Sequence, residues 1–437
     1  MMGSYIKEFE ERVNKRKIKI AVVGLGYVGL PLAVEFAKKG FSVTGIDLDA
    51  GRVQGVREKK SYITDISDKD LKQVVVSGKL RPESSFSLLK HCDAVFICVP
   101  TPLKRKYHPD ISFIKAAVSQ AAKNIKHQAL VIVESTTYPG TTEEVILPML
   151  EAGGRRQSRD FYLCFSPERV DPGNKEFSLR RIPKVIGGID ANASHLGRIV
   201  YSAVMDKVVV VSSTRIAEAV KLLENTFRIV NIGLIDEMAM MAHRMGMDIW
   251  EIINAASTKP FGFMPFFPGP GVGGHCIPKD PLYLYWKAKG YGFKSRFIKL
   301  ASDTINHMPA YVVSRVRSLL EQNRKKFTKN KVLVLGVTYK QDIKDLRKSP
   351  ALDIISILQK DKVHVTYHDP LIPYLKMGDI DLKSVKLTAA NLKGFDCVII
   401  ATGHSSVNYR FILENSRSIF DTRNVYKGIK NKKIFKL

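Results

Sequence analysis

The loop around Cys276 is the stretch whose residue types and spacing point most directly to chemistry. Residues 268–281 read PGPGVGGHCIPKDP. So many glycines and prolines exclude a helix or a central strand, and the glycines let the main chain come close to a ligand. The loop carries a thiol at Cys276 and a carboxylate four residues later at Asp280. The thiol could be a nucleophile, a metal ligand or a buried packing residue. The metal alternative is disfavoured, because no second Cys or His stands at zinc-ligand spacing nearby.

A glycine pattern near the N-terminus indicates a bound dinucleotide. An apolar run at residues 18–23 leads into Gly24, Gly26 and Gly29, and a helical stretch follows from residue 31. In such a strand–turn–helix order, the first glycine permits the tight turn, the second admits the pyrophosphate and the third allows close helix packing. The phosphates would then lie on the amide groups at the helix N-terminus. The pattern predicts a Rossmann-type domain.

The end of the second predicted strand favours NAD over NADP. Asp47 stands 18 residues after Gly29, at the end of the run 41–47. Its carboxylate can accept hydrogen bonds from the adenosine ribose and would repel a 2′-phosphate. Arg52 is the one signal for NADP, because an arginine there could receive that phosphate. We expect NAD, with Asp47 and Arg52 both in the cofactor site.

Three further loops are predicted at carboxyl ends of strands, where open α/β sheets bind ligands. Pro100 and Thr101 follow one apolar run, Thr136 follows the next, and Glu168 follows a third. The hydroxyl groups are equally well explained by turn and helix-cap chemistry. A lone glutamate in a loop is normally solvated. The placement at one edge of a sheet is what makes these residues candidates.

A helical repeat runs from residue 214 to about residue 245. A helix of some thirty residues is long for a small domain and is typical of one that links two domains. Lys221 and Asn225 are four residues apart, so both project from one face of this helix. The alternative is a solvated lysine and a cap-seeking asparagine. The apolar positions form one continuous stripe of Ile216, Val220, Leu223, Phe227, Val230, Leu234 and Met238.

The C-terminal part begins a second strand–helix–strand series at residue 331. One glycine follows its first strand, so it lacks the dinucleotide fingerprint. Its turn instead carries Thr338, Tyr339 and Lys340, with Arg347 further on, which suits a different phosphorylated ligand. We predict an α/β protein with two Rossmann-like parallel-sheet domains joined by a long central helix and a small helical domain. The predicted domains are residues 1–210, residues 211–310 and residues 311–437.

Composition narrows the class of protein. The 437 residues are 45% apolar and 25% charged, as in soluble globular proteins. Five cysteines without framework spacing favour free thiols in a reducing compartment, and without a recognisable secretory signal or membrane span we expect a cytoplasmic protein. The net charge of +27 could indicate nucleic-acid binding, but the basic residues are dispersed rather than clustered with aromatic residues. We expect a solvated surface that also steers an anionic small molecule.

A cysteine beside a nicotinamide cofactor has a chemistry that serine and histidine lack. Its sulfur adds to an aldehyde to give a thiohemiacetal, and loss of hydride converts this into a thioester that water cleaves. An enzyme with Cys276 and an NAD domain could therefore oxidise a primary alcohol all the way to an acid.

The sequence resembles the UDP-glucose/GDP-mannose dehydrogenase family along nearly its whole length. The motifs that carry the resemblance lie at residues 24–31 (GLGYVGLP), 98–102 (CVPTP), 134–142 (ESTTYPGTT), 221–225 (KLLEN), 273–276 (GGHC) and 345–350 (DLRKSP). Residues 166–174 (SPERVDPGN) and 261–266 (FGFMPF) are most similar to the members that oxidise UDP-N-acetylglucosamine.

The resemblance implies a four-electron oxidation of the C6 hydroxyl of UDP-N-acetylglucosamine to the carboxylate, with two NAD consumed. Cys276 would be the nucleophile that holds the thiohemiacetal and the thioester. Lys221 would stabilise the oxyanion, with Asn225 as a second donor. Asp280 would position or deprotonate water together with Lys221. Glu168 would be the general base for thioester hydrolysis.

The resemblance also implies the ligand-binding residues and an oligomer. Thr136 would lie near the nicotinamide and a catalytic water. Lys340 and Arg347 would contact UDP, and Arg296 would reach the substrate from a neighbouring subunit, so at least a homodimer built on the long helix is implied. The cofactor-binding residues would be Gly24, Gly26, Tyr27, Val28, Gly29, Asp47, Arg52, Pro100, Thr101 and Thr136. The substrate-binding residues would be Glu168, Arg169, Val170, Lys221, Asn225, Phe266, Gly273, Arg296, Lys340 and Arg347.

The sequence leaves other sugar substrates and a non-catalytic class of protein as alternatives. UDP-N-acetylmannosamine and UDP-glucose are the alternative substrates. Asp171 stands three residues after Glu168, whereas the members that oxidise UDP-glucose have a Glu at four, so the resemblance favours an acetamido sugar over glucose. A non-catalytic nucleotide-binding protein would be expected to lack the thiol or its lysine, but Cys276 and Lys221 are both present.

Overall fold

The computed structural model describes residues 2–63, 65–104, 107–171, 177–322 and 326–437. Within this part, the chain divides into two compact units. The first unit comprises Met1–Glu224 and Leu282–Phe293, and the second unit comprises Asn225–Pro281 and Lys294–Leu437. The Pro-Gly-Asn end of the motif at residues 166–174 lies outside the described residues.

The first unit is built on an eight-stranded sheet. Its strands are β1 (Lys19–Val23), β2 (Ser42–Ile46), β3 (Leu80–Glu83), β4 (Ala94–Ile97), β5 (Ala129–Val133), β6 (Phe161–Phe165), β7 (Lys184–Gly188) and β8 (Val208–Val210). The spatial order is β3-β2-β1-β4-β5-β6-β7-β8. Strands β4, β5 and β6 are buried along their whole length, as expected of a sheet covered on both faces. Because the order reverses between β1 and β4, the loops after these two strands open a crevice of the kind that binds nucleotides.

One strand of this sheet departs from the parallel arrangement. Strand β7 runs antiparallel to β6, with Cys164 opposite Gly188 and Phe165 opposite Gly187. The remaining neighbours are parallel pairs. The reversal brings the first residue of β7, Lys184, to the edge where β5 and β6 end.

Helices pack on this sheet. They are α1 (Met2–Asn14), α2 (Gly29–Lys38), α3 (Ala50–Arg57), α4 (Asp68–Val76), α5 (Ser112–Asn124), α6 (Leu147–Glu151) and α7 (Ala191–Ser202). Helix α2 begins at the third glycine of the fingerprint and buries Leu30, Leu32, Val34 and Phe36. Two further helices contain residues of both units: α8 (Thr214–Arg244) and α10 (Asp280–Gly290). The predicted long helix is therefore confirmed almost to its ends.

The second unit holds a five-stranded parallel sheet. Its strands are β9 (Lys331–Leu335), β10 (His364–His368), β13 (Cys397–Ile400), β14 (Ile419–Asp421) and β15 (Ile434–Lys436), in the order β10-β9-β13-β14-β15. A small antiparallel hairpin is formed by β11 (Tyr374–Met377) and β12 (Ile380–Lys383). The helices are α9 (Ile249–Ala256), α11 (Arg296–Glu321), α12 (Pro350–Lys360), α13 (Ala389–Gly394) and α14 (Tyr409–Asn415). The predicted fold class, with two Rossmann-like sheets and a long helix, is confirmed.

The aromatic segment at residues 261–267 is largely exposed to solvent. Phe261, Phe263 and Phe267 are exposed, and Phe266 is half-buried against Phe227. These side chains therefore do not belong to the hydrophobic core of this chain. In the described part of the chain, every helix is too short or too polar to cross a membrane.

Candidate active site

The glycine turn after β1 has the backbone that the fingerprint predicts. Gly24 has a φ of +94°, and a Cβ there would lie 2.7 Å from the carbonyl oxygen of Cys98. A Cβ on Gly29 would lie 1.8 Å from the carbonyl oxygen of Gly24, so no larger residue fits. At Gly26 the nearest atom to an added Cβ is 3.9 Å away, on Arg52. The bare main chain at Gly26 and the N-terminus of α2 together fit a pyrophosphate.

Asp47 lies beside this turn and is nearly buried. Its carboxylate accepts backbone hydrogen bonds from Leu25 at 2.7 Å and from Asp49 at 2.9 Å. The Arg52 guanidinium lies 3.3 Å away. Since a carboxylate has about four lone-pair sites, acceptor capacity remains for ribose hydroxyls. Arg52 therefore contacts the acidic residue that favours NAD.

The other predicted cofactor residues surround the same crevice of the first unit. Tyr27 is exposed and Val28 is half-buried at the start of α2. Thr101 is buried, and its carbonyl oxygen accepts a hydrogen bond from the Tyr283 hydroxyl. Pro100 is exposed.

A buried cluster of charged side chains lies where β5, β6 and β7 meet. The Lys184 ammonium lies 3.0 Å from the Glu134 carboxylate and 2.9 Å from the Glu168 carboxylate. The Tyr201 hydroxyl donates a second hydrogen bond to Glu134. Glu168 also accepts backbone hydrogen bonds from Arg169 at 2.6 Å and from Val170 at 2.9 Å. All donors of this cluster therefore converge on two carboxylates.

The two carboxylates of this cluster have pKa values shifted in opposite directions. Burial opposes ionisation of Glu168, but the attraction of Lys184 and then Lys221 outweighs it, so the pKa of Glu168 lies below its usual range. Burial, together with the repulsion of Glu168, raises the pKa of Glu134 despite Lys184. The pKa of Lys184 is raised, because both carboxylates more than offset its own burial. The ionised form is therefore better stabilised at Glu168 than at Glu134.

Lys221 joins this region through Thr136. The Lys221 ammonium donates a hydrogen bond of 2.7 Å to the Thr136 hydroxyl, and Lys221 is buried. Thr136 follows Glu134 in the loop after β5. The structure therefore brings together Thr136, Glu168 and Lys221, three of the predicted catalytic residues, within the first unit.

The guanidinium of Arg169 is bound by side-chain and backbone groups of this chain. Its guanidinium donates to the Glu224 carboxylate at 2.5 and 3.0 Å and to the carbonyl oxygen of Pro183 at 2.8 Å. A cavity of about 200 Å³ adjoins it, lined by Arg169, Asp171, Phe177, Ile182 and Glu224. Arg169 thus shapes this part of the loop through an ion pair.

The thiol loop belongs to the second unit. Cys276 is exposed, whereas the other four cysteines are buried, and all five are free thiols. Gly274 has a φ of +86°, and its amide donates to the carbonyl oxygen of Arg347 at 2.9 Å. A Cβ on Gly273 would lie 2.5 Å from the Cβ of Tyr339. The glycines therefore let the loop pack against the turn after β9.

Asp280 ends this loop beside two other predicted catalytic residues. The Asn225 amide donates to the Asp280 carboxylate at 2.8 Å. The backbone amide of Asp280 donates to the carbonyl oxygen of Cys276, also at 2.8 Å. The Lys279 ammonium lies 3.0 Å from the His275 ring and 3.8 Å from the Asp280 carboxylate. The second unit therefore brings together Cys276, Asn225 and Asp280.

The predicted UDP-binding residues lie on the turn after β9 and beyond it. Arg347 pairs with Asp345 at 2.6 Å, and Lys340 is half-buried. Thr338 anchors the turn by donating to the carbonyl oxygen of Lys340 at 3.0 Å. Arg296 is exposed at the first residue of α11.

Sequence reasoning missed Lys184 and Tyr201. Lys184 opens the apolar run KVIGG, and a lysine at the start of a strand is normally a solvated end. Its partners are 50 and 16 residues away in the chain. The antiparallel entry of β7, which brings them together, leaves no signal in the local pattern.

Comparison with known proteins places the chain in a family. Three models of the UDP-glucose/GDP-mannose dehydrogenase family match it: the NAD binding domain over residues 18–205, the central domain over residues 215–307 and the UDP binding domain over residues 333–428. The chain belongs to the UDP-glucose/GDP-mannose dehydrogenase family. The predictions of an oxidoreductase, of NAD as cofactor and of a UDP-sugar 6-dehydrogenase are confirmed at the level of this class.

Individual relatives carry two different substrate names. A UDP-N-acetyl-D-mannosamine dehydrogenase from Pyrococcus horikoshii is 36% identical over 94% of this chain and 96% of its own length. A UDP-N-acetyl-D-glucosamine 6-dehydrogenase from Pseudomonas aeruginosa is 35% identical over 95% of this chain and 97% of its own. The solved structure of a UDP-D-ManNAc dehydrogenase from Pyrococcus horikoshii covers 96% of this chain and 99% of that chain, with a TM-score of 0.87 and 35% identity.

Proposed function

We propose that this enzyme oxidises the C6 hydroxyl of UDP-N-acetylglucosamine to the carboxylate. The observation that carries the proposal is the presence of both residue sets that the reaction needs: an exposed thiol loop with Asn225 and Asp280 in one unit, and an ionised Glu168 with Lys221 and Thr136 in the other. The overall change is RCH₂OH + 2 NAD⁺ + H₂O → RCOO⁻ + 2 NADH + 3 H⁺. NAD, when bound, accepts the hydride of each oxidation.

The protein's own groups would divide the remaining work. The Cys276 sulfur forms a bond to the aldehyde carbon, giving a thiohemiacetal and, after the second oxidation, a thioester. Lys221 and Asn225 donate hydrogen bonds to the oxygen that becomes negative, and Asp280 positions water. Glu168 accepts a proton from the water that attacks the thioester, and the C–S bond breaks.

The ligand-binding roles are part of the same proposal. The glycine turn, Asp47 and Arg52 would hold the adenosine and pyrophosphate of NAD, with Pro100, Thr101 and Thr136 nearer the nicotinamide. Lys340 and Arg347 would contact UDP, because a phosphate favours charge-assisted bonds from such donors. Val170, Phe266 and Gly273 would line the sugar site.

The choice of sugar rests on sequence similarity. Residues 166–171 and 261–266 favour UDP-N-acetylglucosamine. UDP-N-acetylmannosamine is the second candidate, because the relative from Pyrococcus horikoshii bears that name. The two sugars differ at C2, so the groups around that carbon would decide between them.

A homodimer and three domains complete the proposal. The stripe on α8 includes Leu223, Phe227 and Leu234, which are all exposed in the single chain. Apolar residues exposed in a row mark protein interfaces. Arg296 would then reach the partner's substrate, and the domains would be residues 1–210, residues 211–310 and residues 311–437.

A panel of UDP-sugars tests the proposal. We expect UDP-N-acetylglucosamine to give two NADH per molecule, with a product whose mass is that of the uronate. UDP-N-acetylmannosamine and UDP-glucose are the comparisons. Formation of one NADH with an aldehyde product, or of no NADH from any UDP-sugar, would contradict it; faster turnover of UDP-N-acetylmannosamine would transfer the assignment to the second candidate.

A further inference from the structure

A lysine without a role in the proposed chemistry occupies the centre of the buried charged cluster. Lys184 is 3% exposed, and its ammonium bridges Glu134 at 3.0 Å and Glu168 at 2.9 Å. Its Nζ also lies 5.2 Å from the centre of the Tyr201 ring. A buried ammonium is costly unless it is paired, so a lysine held here between two carboxylates requires an explanation.

We propose that Lys184 is the positioning residue of the hydrolytic base: it holds Glu168 as an oriented carboxylate, while Glu134 competes for the same ammonium and moderates that hold. The inference rests on the proposed function, in which Glu168 accepts the proton from water. Lys184 binds one oxygen of Glu168, and the amides of Arg169 and Val170 bind the other at 2.6 and 2.9 Å. Three donors on two oxygens fix the plane of the carboxylate.

The cluster also sets the charge of the base. Every donor around Glu168 favours its ionised form, which is the form that accepts a proton. Glu134 adds a negative charge beside the same lysine and takes part of its attraction. Tyr201 in turn donates to Glu134. The charge state of Glu168 therefore depends on Lys184 and Glu134 in opposite directions.

The step that this arrangement serves is thioester hydrolysis. The water oxygen bonds to the thioester carbon while its proton passes to Glu168, and the C–S bond breaks with its electron pair on Cys276. The proton then passes from Glu168 to the thiolate or to solvent. Nothing is oxidised or reduced in this step, and Lys184 touches neither the water nor the sugar.

Two substitutions with opposite expected effects test the inference. Lys184→Met removes the charge at similar length, and Glu134→Gln removes the competitor. The rate of acid formation is measured by rapid quench from about pH 3 to pH 9, so that the acidic limb set by Glu168 is covered, and the thioester adduct on the enzyme is followed by intact mass. We expect the acidic limb of the rate profile to move about one unit or more to higher pH in Lys184→Met and to lower pH in Glu134→Gln. Lys184→Met should also slow acid formation roughly tenfold or more near neutral pH and accumulate the adduct.

Controls separate this inference from the proposed function. Lys184→Arg should restore most of the wild-type profile, and Kd values for NAD and UDP-sugar should stay within about twofold in all variants. Glu168→Gln should block hydrolysis and trap the adduct. If Glu168→Gln hydrolyses the thioester normally, the assignment of the base in the proposed function fails; if it blocks hydrolysis but neither limb moves, only the role of Lys184 is overturned.

A second comparison covers the case in which Lys184→Met does not fold. The double variant Lys184→Met/Glu134→Gln removes one charge of each sign from the buried cluster, so it avoids the unbalanced carboxylates of the single variant. Its acidic limb should lie at higher pH than that of Glu134→Gln alone. A purely structural lysine would lower stability or rate without this displacement, and an unmoved limb in the double variant would overturn the inference.

Discussion

At the scale of the residue, buried carboxylates do different work according to their partners. Glu168 is surrounded by hydrogen-bond donors, and its lowered pKa favours the ionised form. Asp236, on α8, is buried with one backbone donor: it accepts from the amide of Gly269 at 2.9 Å. Its second oxygen has no hydrogen-bond partner among the described residues. Burial accordingly raises the pKa of Asp236 to about 7, against the attraction of Arg423.

This difference predicts a pH-dependent stability. The pKa of Asp236 is raised above its value in the unfolded chain, so its contribution to stability is fully present below about pH 4 and is lost as pH rises from there to about 7. Asp236→Asn keeps the acceptor for Gly269 without the charge. We expect the free energy of unfolding of the variant to gain on the wild type between about pH 4 and pH 7, by at most about 1.4 kcal/mol per pH unit, and to gain nothing further above about pH 7.

Denaturant unfolding at about pH 4.5, 6 and 7.5 measures this gain. Asp379→Asn, at an exposed turn between β11 and β12, is the matched control, because it removes a carboxylate at the surface. A difference between Asp236→Asn and wild type that stays constant across these pH values would show that the charge of Asp236 is not the cause.

At the scale of the element, α8 presents an apolar face that its own chain leaves open. Leu234 is 55% exposed on α8, and Phe297 and Leu300 are exposed on α11. The two helices approach closely where Gly233 packs on Ala301, since an added Cβ would lie 3.0 Å from the Ala301 Cα. Exposed leucines therefore flank a tight helix–helix contact, as in a surface that a second copy covers.

Leu234→Glu tests this surface. A charge in the centre of an apolar interface should disrupt the proposed dimer, because its burial is costly. We expect the molar mass from light scattering to fall from that of a dimer to that of a monomer at micromolar concentration. Val76→Glu, at another exposed aliphatic position on α4, should keep the dimer. A variant Leu234→Glu that stays dimeric would place the interface elsewhere.

The elements also show what the sequence could and could not predict. The turn glycines, the bounds of α8 and the two sheets follow from local patterns, since φ restrictions, 3.6-residue periodicity and buried strands leave direct signals. The antiparallel β7 does not, because strand direction depends on pairing with β6. Lys184 was missed for that reason. The stripe on α8 indicated an apolar face but not that Leu223 and Leu234 would be exposed.

At the scale of the whole molecule, the net charge of +27 should act on small anionic ligands. Basic residues across the surface attract NAD and UDP-sugar over distances comparable to the Debye length. We expect KM for UDP-sugar to rise several-fold between about 20 and 300 mM salt, while kcat changes little, because buried groups are screened much less. Steady-state kinetics with potassium chloride measures this; a fall in kcat at constant KM would contradict the steering role.

The central claim is that the sulfur of Cys276 carries the sugar through the second oxidation and the hydrolysis. Acid formation by Cys276→Ser, beside its Kd values for NAD and UDP-sugar, tests it most directly. We predict that both ligands bind as they do to the wild type and that acid formation falls by roughly a thousandfold or more, because a serine hydroxyl is a far weaker nucleophile toward the aldehyde. Acid formation near the wild-type rate by Cys276→Ser would contradict the covalent route.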